Sequence, residues 1–219
     1  MKEPNRQRKG EIGQLIQLND EQKEAIRLIR ENQITIITGR AGCGKSLVSA
    51  HYAVDVLSKG ECDRIFITRP TVEVGKGLGF LPGDLNSKMD PWFEAFLDNV
   101  YSTIKDKSKY NKWIEEERFR YNPIQYIRGK TFSEPLIIEE SQSTTKEEMK
   151  AIITRLGKSG KIILNGDMEQ CDLKTGEKSG LAWLLSDILP KVEEIKRIDL
   201  KTNHRSPLVQ KILEIEYGK

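Results

Sequence analysis

Short apolar runs alternate along the chain with longer segments in which apolar residues recur at helical spacing. The runs are rich in β-branched residues and predict buried strands over residues 34–38, 64–68, 135–138, 161–164 and 195–200. The segments between them predict helices over residues 20–30, 47–57, about 144–156, about 179–189 and from Ser206 onward. This alternation predicts an α/β domain with a mostly parallel sheet covered by helices on both faces.

The stretch from about residue 84 to residue 122 has a different pattern, with many charges and interleaved aromatic side chains. One helical face collects Phe93, Phe96, Leu97, Val100 and Ile104. We therefore predict a helical insertion whose aromatic residues are mostly core. Base stacking by one or two of them is the weaker alternative. The glycine-rich segment before it, between Pro70 and Pro82, favours a functional loop.

Composition limits the class of protein. The chain has 219 residues, of which 32% are charged and 37% hydrophobic, as in an ordinary globular domain. No apolar run reaches the ~18–20 residues of a membrane span, and no signal-peptide pattern opens the sequence. We expect no membrane partner and a cytoplasmic location, where three scattered cysteines without metal-ligand spacing stay reduced.

Charge adds one expectation about the N-terminus. Residues 1–14 predict a basic flexible arm in front of a domain that spans residues 15–219. Such an arm can contact phosphates, although a purely solubilising role is more common. The net charge of +3 is too small to establish a nucleic-acid partner.

The most informative segment is the loop between the first predicted strand and the helix that follows it. It has the phosphate-loop pattern, with glycines at both ends followed by lysine and serine, over Gly39, Arg40, Ala41, Gly42, Cys43, Gly44, Lys45 and Ser46. Its backbone amides would bind phosphates, the lysine would reach the β- and γ-phosphates, and the serine hydroxyl would ligate Mg²⁺. A strand before it and a helix after it make a chance match improbable, so the segment predicts a nucleoside-triphosphate site.

The ends of other predicted strands carry polar residues that could complete this site, because ligands collect at the carboxyl edge of a parallel sheet. Glu139 and Glu140 follow one strand. Two acids there can divide the work of phosphoryl transfer to water, one holding Mg²⁺ and the other orienting or deprotonating the water. Gln170 and Arg205 follow two further strands and could contact the γ-phosphate.

Several short segments, taken in order, resemble the PhoH-like ATPase family. They are Leu18-Asn-Asp-Glu-Gln22, the phosphate loop, Ile67-Thr-Arg-Pro70, Leu78-Gly-Phe-Leu-Pro-Gly83, Tyr126-Ile-Arg-Gly129, Ile138-Glu-Glu-Ser-Gln142, Gly166-Asp-Met-Glu-Gln170 and Ser179-Gly-Leu181. The resemblance covers nearly the whole chain, and the Thr-Arg-Pro and Leu-Gly-Phe-Leu-Pro-Gly segments are far more specific than a phosphate loop alone.

The resemblance implies a RecA-like domain related to superfamily 1 helicases, in a family with members found as hexameric rings. A glutamine at the position of Gln22 contacts adenine in that wider group, which implies ATP. Glu139 would support Mg²⁺, and Glu140 would activate water. Gln170 and Arg205 would couple the γ-phosphate to conformation, with Lys45 on the phosphates.

Two segments depart from the family pattern. Where the family has Asp-Glu-Ala-Gln, this chain has Glu139-Glu140-Ser141-Gln142, so the metal-holding acid is one methylene longer. Where the family has Asp-Val-Val-Arg-His, this chain has Thr202-Asn203-His204-Arg205-Ser206, which keeps the arginine.

The function expected from the sequence is a Mg²⁺-dependent ATPase that acts on RNA or single-stranded nucleic acid. A nucleotide-gated binding module with slow hydrolysis is the main alternative, favoured by the glutamate at Glu139; a small-molecule kinase is a weaker one. Because one RecA-like domain offers only one wall of a nucleotide cleft, we expect a ring, such as a hexamer. The basic residues that could act across it are Arg69, Arg128 and Arg155.

Overall fold

The computed structural model describes residues 17–70, 91–127, 129, 131–171, 173 and 178–216, and these contain one sheet with helices on both faces. The helices are α1 (Asp20–Glu31), α2 (Lys45–Lys59), α3 (Pro91–Thr103), α4 (Lys107–Glu115), α5 (Lys146–Ile153), α6 (Gly180–Trp183) and α7 (Pro207–Glu216). The strands are β1 (Ile34–Thr38), β2 (Ile65–Thr68), β3 (Phe119–Tyr121), β4 (Pro135–Ile138), β5 (Lys161–Gly166) and β6 (Ile195–Asp199).

The six strands lie in the order β3-β2-β4-β5-β1-β6, and every pair is parallel. Strand β5 therefore separates β1, which leads into the phosphate loop, from β4, which leads into the two glutamates. In this register Thr38 lies opposite Gly166, and Ile138 lies opposite Leu164. The predicted α/β class and parallel sheet are confirmed, and the strand ends meet at one edge.

Side chains of the central strands alternate between two hydrophobic cores. On β5, Ile162 and Leu164 pack in the core that contains α5 and α6, whereas Ile163 packs in the core of α1 to α4. On β4, Ile137 likewise faces away from Leu136 and Ile138. Both faces of the sheet are covered at these central strands, so their sequences are nearly continuous runs of apolar residues.

Two helix starts follow local capping chemistry. The Asn19 side chain accepts a hydrogen bond from the backbone of Gln22, whose side chain caps Asn19 in return. Thr145 and Glu148 make the same reciprocal pair at the start of α5. Both caps confirm the predicted helix starts, because each satisfies amides that the first turn leaves unpaired.

Three sequence predictions of secondary structure are corrected. Part of the predicted helical insertion is sheet, since Phe119–Tyr121 pairs with β2. Helix α5 ends at Ile153 rather than Leu156, because Leu156 bridges to Phe132. The helix expected up to Leu189 is regular only over α6 and continues as a π-helical turn over Leu184–Ile188. A widened turn there is compatible with Pro190, which lacks the amide that an α-helical bond needs.

The predicted helical face of the insertion is confirmed within the described residues. Phe93, Phe96, Leu97, Val100 and Ile104 are all buried in the core of α1 to α4. The predicted basic arm, the glycine-rich segment 71–82, residues 84–90 of the insertion and Arg128 lie outside the described residues.

None of the helices in the described ranges combines the length and apolar character needed to pass through a bilayer.

Lys161 links α1 to β5 through one partly buried ammonium. Its Nζ donates hydrogen bonds to the carbonyl oxygens of Ile29, Arg30 and Asn32 at 2.9, 2.8 and 2.8 Å. These carbonyls lie at the C-terminus of α1, where helix carbonyls otherwise lack partners. Burial lowers the pKa of Lys161 below its usual range.

We predict that Lys161→Met lowers the free energy of unfolding by about 1–3 kcal/mol, because it leaves partly buried carbonyls without donors. Urea denaturation measures the effect. Lys158→Met is the control, since Lys158 is an exposed lysine close by. Equal stability of the two variants would contradict the capping role of Lys161.

Candidate active site

The phosphate loop joins the end of β1 to the start of α2 in a conformation that requires glycine. Gly39 and Gly42 have φ angles of 147° and 92°. A Cβ at Gly39 would collide with the carbonyl oxygen of Leu200. No side chain of the described residues caps α2. Its first amides, at the positive end of the helix dipole, are therefore oriented to bind an anion.

Lys45 spans the loop. Its Nζ donates hydrogen bonds to the carbonyl oxygens of Gly39 and Arg40, at 2.6 and 3.2 Å. The ammonium is thus held on the concave side of the loop by backbone oxygens. Phosphate oxygens are stronger partners for an ammonium than neutral carbonyls, so the lysine is placed to exchange one set for the other.

Ser46, Glu139 and Asn165 form one hydrogen-bonded group across the sheet edge. The Ser46 hydroxyl donates to Glu139 Oε2 at 2.8 Å, and Asn165 Nδ2 donates to Glu139 Oε1 at 2.9 Å. Asn165 Nδ2 also contacts Ser49 Oγ at 2.8 Å. Burial is the main cause that raises the pKa of Glu139, opposed by these two hydrogen bonds. Because β5 lies between β1 and β4, the amide of Asn165 holds the carboxylate against the loop.

This pair of oxygens suits a magnesium ion. Mg²⁺ binds oxygen ligands octahedrally at ~2.0–2.1 Å, so two neighbouring ligands lie about 2.9 Å apart. The oxygens of Ser46 and Glu139 are 2.8 Å apart. Within the described residues, no cluster of three or more His, Cys, Asp or Glu could hold a metal by itself. Mg²⁺ commonly takes one or two protein ligands and completes its shell with water and phosphates.

Glu140 leaves the line of β4 through a left-handed backbone conformation, with a φ of 51°. This conformation is uncommon for a residue with a side chain and is maintained by the surroundings. The main contact that holds the side chain is with Gln142, whose Nε2 donates to Glu140 Oε2 at 2.7 Å. The second acid is therefore fixed beside the first.

Gln142 is a buried residue that the sequence analysis did not assign to the site. Its Nε2 also donates to the carbonyl oxygen of Gln170 at 3.1 Å, and its Oε1 accepts from the amide of Asp167 at 3.0 Å. Its backbone carbonyl accepts a hydrogen bond from Ser179 Oγ at 2.7 Å. One side chain, 1% exposed, thus joins Glu140 to the turn that carries Gln170.

Arg205 lies against the phosphate loop of its own chain. A Cβ on Gly42 would come within 2.7–2.9 Å of Cγ, Cδ and Nε of Arg205. The amide of His204 donates to the carbonyl oxygen of Gly42 at 3.0 Å, and Asn203 Nδ2 contacts that of Ala41 at 3.4 Å. The segment after β6 therefore packs directly on the loop, and the backbone bond from His204 fixes the register of this packing.

Gln22 touches the other side of the loop. Its Nε2 donates to the carbonyl oxygen of Cys43 at 3.3 Å and lies 3.3 Å from His204 Nε2. The same side chain accepts a hydrogen bond from the Asn19 amide in the cap of α1, so Gln22 serves both the helix start and the loop. Gln22 is 2% exposed and connects α1, the loop and the segment after β6.

A second feature missed by sequence analysis is the ion pair between Arg40 and Glu169. Their closest atoms, Arg40 Nε and Glu169 Oε2, are 2.9 Å apart. The pair connects the phosphate loop to the turn that carries Gln170. Beside it lies a cavity of about 540 Å³ whose lining includes Gly39, Asp167 and Arg197. The loop is therefore bordered by open space on the β6 side.

Sequence alone offered a partial signal for the missed residues. Asn165 and Gln142 are amide residues directly at or after apolar strands, where a side-chain amide can join two backbone or carboxylate groups. Asn165 is 26 residues from its partner Glu139 along the chain. Gln142 is 25 residues from Asp167 and 28 residues from Gln170. Periodicity cannot predict such contacts, because they depend on strand order.

A parallel α/β sheet with a phosphate loop after one strand and paired acids after another defines the class of P-loop proteins. Two solved structures share this fold. The Pif1 helicase from Candida albicans aligns with a TM-score of 0.52 at 18% identity, over 93% of this chain and 44% of that one. The large terminase of a thermophilic bacteriophage aligns with a TM-score of 0.50 at 10% identity, over 89% of this chain and 49% of that one.

Within this class, the chain belongs to the PhoH-like protein family, whose family model matches residues 14–216. A PhoH-like protein of Synechocystis is 39% identical over 196 residues, which cover 88% of this chain and 59% of the relative. A PhoH-like protein of Bacillus subtilis is 37% identical over 88% of this chain and 61% of the relative. Protein PhoH of Escherichia coli is 37% identical over 89% of this chain and 56% of the relative. The chain thus spans less than two thirds of the length of these relatives.

We predict that Gln142→Leu lowers the free energy of unfolding by about 1–3 kcal/mol, because a buried amide and a carbonyl lose their partners. Urea denaturation monitored by fluorescence measures this loss. Gln33→Leu is the matched control, since Gln33 is exposed and, within the part of the chain that the structure describes, its Nε2 makes a single hydrogen bond, to the Lys158 carbonyl at 2.9 Å. A Gln142 variant as stable as the Gln33 variant would contradict the linking role.

Proposed function

We propose that this protein binds ATP and hydrolyses it with Mg²⁺, acting on single-stranded RNA or DNA in the cytoplasm. The observation that carries the proposal is the 2.8 Å contact between Ser46 Oγ and Glu139 Oε2. It joins the phosphate loop to the acids of a different strand, which is the arrangement that phosphoryl transfer to water requires. Family membership and the fold support the same conclusion.

Each residue has a role that follows from its position. The loop amides and Lys45 bind the phosphates, and Ser46 and Glu139 would hold Mg²⁺, which supplies charge neutralisation at the γ-phosphate when bound. Glu140 accepts a proton from the water as the water oxygen bonds to the γ-phosphorus, and ADP leaves as the bond between the γ-phosphorus and the β,γ-bridging oxygen breaks. Gln170 and Arg205 contact the γ-phosphate and relay its loss to the surrounding turns.

ATP is the proposed nucleotide because of Gln22. A side-chain amide can donate to and accept from the edge of adenine. The contacts of Gln22 with Cys43 and His204 place its amide next to the loop, on the side of α1. Binding of adenine would require the amide to exchange one of these contacts.

The alternative is a nucleotide-gated binding module with slow hydrolysis, favoured by glutamate in place of aspartate at Glu139. The longer side chain nevertheless reaches Ser46 and is held by Asn165. This geometry favours hydrolysis over the alternative. Phosphate release measured with and without single-stranded nucleic acid separates the two functions.

The central prediction compares two substitutions in the site. Lys45→Ala removes the charge aimed at the transferred phosphoryl group and should lower ATP turnover on the order of 10²-fold or more. Glu140→Gln keeps the shape but removes the base, so it should retain ATP binding while losing hydrolysis. Phosphate release and fluorescent-nucleotide binding give the two readouts, with circular dichroism to check folding.

Turnover of Lys45→Ala within a few-fold of the unmodified protein would rule out the ATPase assignment. Loss of hydrolysis in Glu139→Gln but not in Glu140→Gln would instead reverse the roles of the two acids.

We further propose that the working form is a ring, such as a hexamer, in which a neighbouring subunit completes each site. An arginine supplied across the interface would stabilise the γ-phosphate. Arg69 lines a cavity together with Glu139 and Glu140 of its own chain, which favours a role in cis. Arg155 follows α5, next to the bridge between Phe132 and Leu156, away from the phosphate loop. Arg155 and Arg128 therefore remain as arginines that could act across the interface.

The ring predicts complementation between two inactive variants. In an equal mixture of Lys45→Ala and Arg155→Ala subunits, about one quarter of the sites would combine an intact lysine with an intact neighbouring arginine. We expect the mixture to recover activity that neither variant has alone, and light scattering to report a multimer. A monomer whose ATPase activity is unaffected by dilution would contradict the ring, and Arg128→Ala repeats the mixing test.

A further inference from the structure

A second cavity opens beside the paired acids. It lies between the ends of β2 and β4 and the first turns of α3, and its volume is about 190 Å³. Ser46, Glu139 and Glu140 form part of its wall, which makes it continuous with the candidate active site. Apolar and aromatic side chains form other parts of the wall, namely Ile67, Phe93, Phe96 and Tyr121.

Thr68 contributes a buried hydroxyl to the wall of this cavity. The residue is 0% exposed and lines the cavity, and its Oγ1 has no hydrogen-bond partner within the described part of the chain. A buried hydroxyl without a partner costs free energy, which a ligand in the cavity would recover. Since a hydroxyl both donates and accepts, it can pair with ligands of either kind.

Trp92 and Arg69 form an aromatic and cationic rim on the same cavity. The indole of Trp92 is 56% exposed, although large aromatic side chains usually bury most of their surface. The guanidinium carbon of Arg69 lies 3.9 Å from the centroid of the ring. Two stacked planar groups beside a cavity are a platform of the kind on which unpaired bases stack.

Size and charge restrict what the cavity can hold. At about 190 Å³ it is smaller than the roughly 300–1,000 Å³ of pockets that enclose drug-sized ligands, so it suits one ring system. The carboxylates of Glu139 and Glu140 disfavour phosphate groups inside. Arg69 at the rim favours phosphates outside. The fitting ligand is a flat, uncharged heteroaromatic ring attached to an anionic backbone.

We propose that this cavity binds one base of a single-stranded nucleic acid, stacked at Trp92 and Arg69 and hydrogen-bonded to Thr68. The inference deepens the proposed function and rests on it only for the identity of the polymer. The base would lie beside Glu140, so a base in the cavity would change the surroundings of the acid that is proposed to activate water. Because the Thr68 hydroxyl can donate or accept, selection between bases should be weak.

The test is oligonucleotide binding to the nucleotide-free protein, measured by fluorescence anisotropy at constant ionic strength. One probe is a labelled oligothymidylate, and the other is an abasic strand of the same length and charge. The variants are Trp92→Ala, Trp92→Phe, Thr68→Val and the control Tyr101→Ala. Tyr101 lies on the same helix, is 45% exposed and has the Lys107 ammonium 3.6 Å from its ring centroid, but lies outside the cavity lining.

We expect Trp92→Ala to weaken oligothymidylate binding about tenfold or more, because one stacked base is lost. Trp92→Phe should recover part of the affinity, and Thr68→Val should weaken binding several-fold. The Tyr101 control should change affinity less than twofold, and the abasic strand should bind the unmodified protein as weakly as oligothymidylate binds Trp92→Ala. Thermal unfolding should show Thr68→Val to be no less stable, since the lost hydroxyl has no hydrogen-bond partner among the described residues.

Equal binding of the two strands would overturn the proposal, as would equal effects of the Trp92 and Tyr101 substitutions. The proposal would also be overturned if Trp92→Ala formed a smaller assembly in light scattering while its oligonucleotide affinity stayed unchanged. That result would assign the surface to contacts between copies of the chain. The assay involves no hydrolysis. Trp92-dependent binding by a protein without ATPase activity would therefore contradict the proposed enzyme while supporting the cavity.

Discussion

The hydrogen bond between Ser46 and Glu139 is the contact on which the rest of the site depends. It joins residues 93 positions apart in the chain and spans the distance between two strands that are not neighbours. The gap is filled by β5, whose Asn165 donates to the other oxygen of the carboxylate. A shift of β4 relative to β1 would separate the phosphate loop from Glu139, so the geometry of the site depends on the packing of the sheet.

Polar contacts then extend this group in two directions. Toward α6, Gln142 connects Glu140 to the turn that contains Asp167 and Gln170. Toward α7, the segment that contains His204 and Arg205 packs on Gly42. Each contact is made by a loop that follows a strand, and each strand is held by two apolar cores. The sheet thereby supports loops that, in the proposed function, respond to the presence or loss of a phosphate.

The paired acids lie next to two spaces, one at the phosphate loop and one that is the cavity at Trp92 and Thr68. Ser46 belongs to the loop and also lines the cavity. In the proposed function, nucleotide occupies the first space and a base of the polymer occupies the second. Polymer binding would then be communicated to hydrolysis over the length of a few side chains, with no need for a second domain in the same chain.

Local sequence determined much of this protein. The run Ile34–Thr38 followed by the glycines of the phosphate loop predicts strand, turn and helix, because these depend on residues that are neighbours in the chain. The caps at Asn19 and Thr145 were predictable for the same reason. The phosphate-loop pattern and the polar residues at strand ends supplied most of the expected site residues, and the family resemblance added Gln22. Their catalytic roles are still predictions.

Only the tertiary structure decided the features that depend on strand order. The chain between α4 and β4 contains a strand, β3, because the edge of β2 offers unpaired backbone groups to Phe119–Tyr121. Insertion of β5 between β1 and β4 places Asn165 on Glu139, and the same order brings Gln142 to Gln170. The cavity at Thr68 arises where α3 packs over two strand ends. These contacts join residues that are far apart in the chain. A local sequence pattern carries no information about which distant residue a side chain will contact.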